Sequence, residues 1–261
     1  MRYAVVGDPV EHSRSPAIHN AGFKALGIGS EFGHMLVPAD GFDQAILALC
    51  SGQLDGVSVT MPHKLNAFEA ADERSDTALR TGAVNTLIVE DGALIGHNTD
   101  VAGVRHALEA VEADAGDPIL LLGYGGAAAA ALLAVAGRDI YLSGREIEKA
   151  DALIRRVDVE ATPIPWGEPV PMATVINATP IGMAGEFLPA GVVERAAALI
   201  DMPYGDERSP AVAHALALGL PTADGITMLV GQAAGAFTLF TGEEAPIFVM
   251  DEAARSWNRS G

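Results

Sequence analysis

Along the chain, short runs of apolar and β-branched residues alternate with stretches whose apolar positions recur every three or four residues. "YAVVG" leads to a helix near Pro16–Leu26, "FGHMLV" to one near Phe42–Leu49, and "GVSVT" to a short helix after Pro62. In "AVNTLIVEDGALIGHNTD" two strand-like runs flank Asp91-Gly92, the dipeptide of a tight hairpin. A helix is expected from about Val101 to Val111, and the polar "EADAGDP" behind it marks a boundary. From Ile119 the alternation starts again with "ILLLG", an alanine-rich helix, "DIYLSGR", a helix near Glu148–Arg156, "ATVINATP", "AALIDM", a helix near Pro210–Leu218 and "PTAD". Such a series predicts a parallel sheet covered on both faces. The last helices, Ile226–Phe240 and Pro246–Trp257, lead into no strand and are expected to return to the first region. The expected class is α/β, with one discontinuous domain of residues 1–100 and 225–261 and a second of residues 101–224.

Composition narrows the range of partners. With 261 residues, 49% of them hydrophobic, the chain can build sizeable cores. A net charge of -18 argues against nucleic acid and anionic membrane as partners. An anionic ligand must then be received by a locally positive or N–H-rich pocket. Cys50 is the only cysteine, which suits a cytoplasmic protein and excludes an internal disulfide. No signal peptide is read at the N-terminus, and the uncharged stretches Ile119–Gly137 and Gly225–Gly242 are broken by glycines or by Gln232. The seven histidines show no metal-ligand spacing, so no metal is expected. Monomer and homodimer both remain open.

Three local patterns carry chemistry. "HSRSPAIHN" places Ser13 and Ser15 before a helix, with Ser15 expected as the N-cap and Pro16 as the first helical residue. A helix start also gathers free N–H groups, so the same serines can face an anion. "LLLGYGGAAAA" holds Gly123, Gly125 and Ala128 in G-x-G-x-x-A spacing between a strand and a helix, the context of a dinucleotide-binding turn. The next strand ends in "YLSGREIEK". No acidic residue closes that strand, and Arg145 with Lys149 can receive a 2′-phosphate, although Glu146 opposes them. Finally, Lys64 follows "GVSVTMPH" and Asp100 closes "GHNTD", two residues that together make an acid–base pair.

Six blocks in order, "GDPVEHSRSPAIHN", "GVSVTMPHK", "GAVNT", "GHNTD", "NATPIGM" and "GITMLVGQAAGAF", resemble the shikimate dehydrogenase family. The resemblance implies an N-terminal α/β substrate domain completed by the C-terminal helices, with a Rossmann-type dinucleotide-binding domain between. It implies reversible reduction of 3-dehydroshikimate to shikimate by NADPH in aromatic amino acid biosynthesis. Carried over motif by motif, Lys64 and Asp100 are catalytic. Ser13, Ser15, Thr60, Asn85, Tyr204 and Gln232 bind substrate. Gly123, Gly125, Gly126, Ala127, Arg145, Lys149, Thr179 and Gly225 serve the cofactor. The turn departs from the family's usual Gly-Ala-Gly-Gly-Ala at Tyr124, and the strand tip has Gly144, Arg145 and Glu146 where Asn-Arg-Thr or Ser is usual. NADP is the expected cofactor, with NAD as the alternative. Other readings are an NAD-linked quinate/shikimate dehydrogenase and a sensor that keeps the shikimate pocket without catalysis.

Overall fold

The first strand, β1 (Arg2–Gly7), is buried from its second residue onward and leads into α1 (Ser15–Ala25). Next come β2 (Glu31–Leu36), α2 (Asp43–Cys50), β3 (Gly56–Val59), α3 (Lys64–Ala70), β4 (Glu73–Arg74), α4 (Asp76–Thr81), β5 (Thr86–Glu90) and β6 (Ala93–His97). This computed structural model describes residues 1–205 and 207–257. The chain divides into two units, one formed by Met1–Thr99 with the segment from Gln232 onward, the other by Asp100–Gly231.

The first unit holds a six-stranded sheet in the order β2-β1-β3-β5-β6-β4. The β1 pairings with β2 and β3 are parallel, as the βαβ pattern predicts, whereas β5 is antiparallel to both β3 and β6. The hairpin turn is Asp91-Gly92, both at positive φ (50° and 83°), the backbone a type I′ turn requires. One face of the sheet buries Val6, Val57, Val59 and Leu87 with Phe42 and Leu49. Elsewhere in the unit, Phe23, Phe32, Phe237 and Phe240 surround His19, which stacks on Phe32 at 4.2 Å between ring centres, and Tyr3 packs on Phe23 and Phe240. Neither ring nitrogen of His19 has a hydrogen-bond partner, and burial lowers its pKa to about 3.

The start of α1 corrects one expectation. Arg14, not Ser15, is the N-cap residue, and Ser15 is the first residue of the helix. Arg14 already has φ -82° and ψ -4°, and its carbonyl accepts the Ile18 N–H at 3.1 Å, so the helical turn begins one residue early. The hydroxyl that meets an early helical N–H belongs to Ser13, whose Oγ accepts from Ser15 N at 3.3 Å.

The second unit opens with α5 (Asp100–Ala110) and continues through β7 (Ile119–Leu122), α6 (Gly126–Ala134), β8 (Ile140–Gly144), α7 (Ile147–Val157), β9 (Thr162–Pro165), β10 (Thr174–Asn177), β11 (Ala198–Asp201), α8 (Pro210–Ala217) and β12 (Thr222–Ala223). Its sheet runs β12-β11-β10-β7-β8-β9, parallel throughout. Ile119 and Leu121 join one buried cluster, Leu120 and Leu122 another, which is why the strand reads as an unbroken apolar run. Strand order reverses at β7, between β8 and β10, the point where such sheets receive ligands. The last helices are α9 (Gly225–Thr241) and α10 (Ile247–Ser256), and α10 packs on α1 in the first unit. Three short elements were not anticipated, namely β4, α4 and β9. Among the described residues no helix is long and apolar enough to cross a membrane.

Candidate active site

In the first unit the sequence-selected residues emerge at one edge of the sheet. Ser13 and Ser15 follow the C-terminal end of β1, and Thr60 and Lys64 follow that of the adjacent parallel β3. Asn85 directly precedes β5, whose antiparallel pairing brings its start to the same edge. The two parallel strand ends are drawn close by Gly7. Asp8 N–H donates to Met61 O at 3.1 Å, and a Cβ at position 7 would overlap Thr60 Cγ2 and lie 2.9 Å from Met61 O.

Each side chain has a rigid seat. Ser13 and Ser15 are buried, 7% and 5% exposed, and their hydroxyls are 3.2 Å apart. His34 Nε2 lies 3.0 Å from Ser13 O. Lys64 is the first residue of α3, preceded by a fully buried His63 whose Nε2 is 2.7 Å from Val37 O and whose ring stacks on Phe42. On its other side, Lys64 O accepts Val84 N–H at 3.1 Å. Buried Asn85 donates to Thr99 Oγ1 at 3.1 Å, and its Oδ1 accepts Thr99 N–H at 2.8 Å. Asn98 is tied to Thr81 Oγ1 and Ala83 O. These bonds fix the "GHNTD" segment that ends in Asp100. Gln232 is half-buried on α9.

In the second unit, Asp100 is buried, 4% exposed, as the first residue of α5. A cleft of about 270 Å³ opens at the C-terminal ends of β7, β8 and β10, lined by Gly123, Tyr124, Gly125, Arg145, Trp166 and Thr179 among others. Gly123 has φ 105°, a conformation that side chains rarely adopt, and its N–H donates to Ser143 O at 2.9 Å. Gly125 is the N-cap of α6, and neither it nor Gly126 has any atom within 4 Å of where a Cβ would stand. Ala127 lies exposed in the same first turn. A helix start bared of side chains, with its N–H groups directed outward, is a cradle for a diphosphate. Thr179 N–H and Oγ1 donate to Asn177 Oδ1 at 3.1 and 2.6 Å. Gly225 opens α9 against the carbonyls of Met202 and Pro203, the residues just before half-buried Tyr204. Among the described residues no group of three His, Cys, Asp or Glu side chains is placed to hold a metal ion.

The geometry matches known proteins over nearly the whole chain. Residues 5–87 match the model of the shikimate dehydrogenase substrate binding domain, and residues 225–255 that of the shikimate 5′-dehydrogenase C-terminal domain. The chain is 35% identical to the shikimate dehydrogenase (NADP(+)) of Desulfitobacterium hafniense, covering 96% of each protein. It belongs to the shikimate dehydrogenase family. The corresponding enzyme of Alkalilimnicola ehrlichii is 37% identical over 94% of this chain and 96% of its own length. The crystal structure of the Thermus thermophilus shikimate 5-dehydrogenase in complex with NADP(H) and shikimate superposes with a TM-score of 0.86 at 32% identity, covering 98% of each chain. The fold is thus the family's: an N-terminal α/β substrate domain and a Rossmann-type dinucleotide-binding domain.

Against this family frame, the two departures noted in sequence meet in space. The ring of Tyr124 lies against Gly144, where a Cβ would come within 2.7 Å of Tyr124 Cδ1. Its hydroxyl donates to Glu146 Oε1 at 3.0 Å, and Lys149 Nζ pairs with the same oxygen at 2.7 Å. Lys149 is thus paired with its neighbour, while Arg145 lies 5.6 Å from the Trp166 ring centre. Sequence reasoning passed over Trp166, because β9 and its flank give little strand signal. It also missed Asp201, a fully buried carboxylate at the end of β11 that accepts from Asn177 Nδ2 at 2.6 Å and from Ser209 Oγ. Burial raises the pKa of Asp201, and the bonds from Ser209 and Asn177 oppose that rise. The cluster ties the loop holding Thr179 to the start of α8. Its one sequence signal is a polar residue ending each of two apolar strands, Asn177 and Asp201.

Proposed function

We propose that this protein catalyses the reversible NADP-dependent interconversion of 3-dehydroshikimate and shikimate, and that reduction by NADPH serves aromatic amino acid biosynthesis. The observation that carries the reading is the sheet edge of the first unit, where Ser13, Ser15, Thr60, Lys64 and Asn85 gather from separate segments. The bare turn of Gly123, Gly125 and Gly126 suits the cofactor's diphosphate, and Arg145 suits a 2′-phosphate. When bound, the cofactor supplies or accepts the hydride.

The chain's own residues account for the rest of the chemistry. Ser13 and Ser15 donate hydroxyl hydrogen bonds to the substrate carboxylate, with Thr60 and Tyr204 orienting that end of the ring. Asn85 and Gln232 bond the ring hydroxyls. Reduction of a ketone develops negative charge on oxygen, and the Lys64 ammonium stabilises that charge and delivers the proton. Asp100 is the carboxylate member of the acid–base pair. The reading assigns residues 1–100 and 225–261 to substrate and 101–224 to cofactor, in the cytoplasm, as a monomer or homodimer.

The test is nicotinamide absorbance in four mixtures of shikimate or quinate with NADP+ or NAD+. Shikimate with NADP+ is expected to react fastest. Inactivity with both substrates, together with measurable shikimate binding, would favour a sensor instead. Glu146 at the tip of β8 favours one second reading, an NAD-linked quinate/shikimate dehydrogenase, and a faster reaction of quinate with NAD+ would establish it.

A further inference from the structure

A carboxylate stands where a cleft for a 2′-phosphate has least use for one. Glu146 lies directly beyond Arg145 at the tip of β8, and an acidic group in this region bonds a free ribose diol and repels a phosphate. Yet this carboxylate is already engaged. Its Oε1 accepts from Tyr124 Oη at 3.0 Å and from Lys149 Nζ at 2.7 Å. Both bonds lower its pKa.

The two donors are not equivalent. Glu146 and Lys149 form an i,i+3 pair with side chains 53% and 59% exposed, and such pairs hold their partners weakly. Tyr124 is different, because it belongs to the turn between β7 and α6 and has only two side-chain torsions to restrain. Its ring lies where Gly144 has no side chain, in a space that any Cβ at 144 would invade at 2.7 Å. The bulky residue at 124 and the missing side chain at 144 therefore belong to one arrangement. Lys149 also lies over the same ring, 5.8 Å from its centre. Tyr124, Gly144 and Arg145 all line the cleft.

We propose that Tyr124 is a selectivity-setting positioning residue: it holds the Glu146 carboxylate away from the cofactor's ribose and leaves Arg145 to receive the 2′-phosphate. The inference rests on the reading that this cleft takes NADP. It acts on the ratio of affinities for the two cofactors, not on the chemical step.

The experiment is calorimetric titration of the full-length protein with NADP+ and with NAD+, in the absence of turnover. It compares wild type, Tyr124→Phe, Glu146→Gln and the double variant, with thermal midpoints measured alongside. Tyr124→Phe removes only the hydroxyl, and it is expected to raise the ratio Kd(NADP+)/Kd(NAD+) by about three- to tenfold, the scale of one hydrogen bond. In the Glu146→Gln background the same change is expected to leave the ratio where it was. Two results overturn the proposal: an unchanged ratio in Tyr124→Phe, or a shift that persists once the Glu146 carboxylate is gone. A wild type that binds neither cofactor would remove the NADP reading itself, and this inference with it. If it binds both while Tyr124→Phe leaves their ratio unaltered, only the inference falls.

Discussion

Lys64 is held through its backbone on both sides, by buried His63 before it and by the Val84 N–H bonded to its own carbonyl. Replacing its side chain should therefore disturb chemistry far more than structure. Lys64→Ala is expected to lower kcat by about two orders of magnitude or more, with a smaller change in KM for shikimate. Steady-state kinetics in either direction measure this, and near-normal kcat would remove Lys64 from the mechanism. His19 makes a separate point. Unfolded, its imidazole takes up a proton near the ordinary value of 6.5, whereas burial holds the folded value to about 3. Between these limits the unfolded chain binds the proton and the native chain does not, so acidification below 6.5 removes stability. By pH 5 the loss from this one group is about 2 kcal/mol. His19→Leu should abolish that part of the pH dependence, seen as a smaller drop in Tm between pH 7.5 and 5.

At the level of elements, the start of α1 changes what a serine substitution should do. Had Ser15 capped the helix, Ser13→Ala would have affected binding alone. With the Ser13 hydroxyl accepting the Ser15 N–H, Ser13→Ala is expected to cost about 0.5–1 kcal/mol of stability as well as to raise KM for shikimate. Denaturant unfolding beside kinetics checks both effects, and unchanged stability would count against the bond. The same segment shows what could be read in advance. Alternating strands and helices, the Asp91-Gly92 hairpin, the glycine turn and the serine pair are local patterns, and each was legible. The helix start slipped by one residue because Arg14 took helical angles, which no local pattern specifies. Two-residue β4 is too short to carry a period, and β9 reads "TPIP", whose prolines mask an edge strand. Tyr124 with Glu146, and Asn177 with Asp201, are pairs more than twenty positions apart whose meeting depends on strand register. Composition cannot disclose such pairings.

For the whole molecule, the net charge of -18 sets the electrostatic background of the fold. Carboxylates crowded onto one folded chain repel one another, and salt screens that repulsion within about 8 Å at physiological ionic strength. Raising sodium chloride from low concentration to about 0.5 M is therefore expected to raise Tm by a few degrees. Scanning calorimetry across the series tests this, and a flat or falling Tm would mean that local pairs outweigh the net field.

The first unit is closed by the end of the chain: Phe237 packs on Phe23, and α10 lies along α1. On the ribosome, residues 1–99 leave the exit tunnel long before those partners exist. All of Asp100–Gly231 must be translated first, which at typical rates takes on the order of ten seconds. Through that interval α1 can bury against β1 and β2 but lacks Phe237 and α10. The intervening unit carries its complete sheet within one continuous stretch, so it is free to fold while synthesis continues. The unit made second can thus be complete while the first, its six strands already translated, still waits for its closing helices.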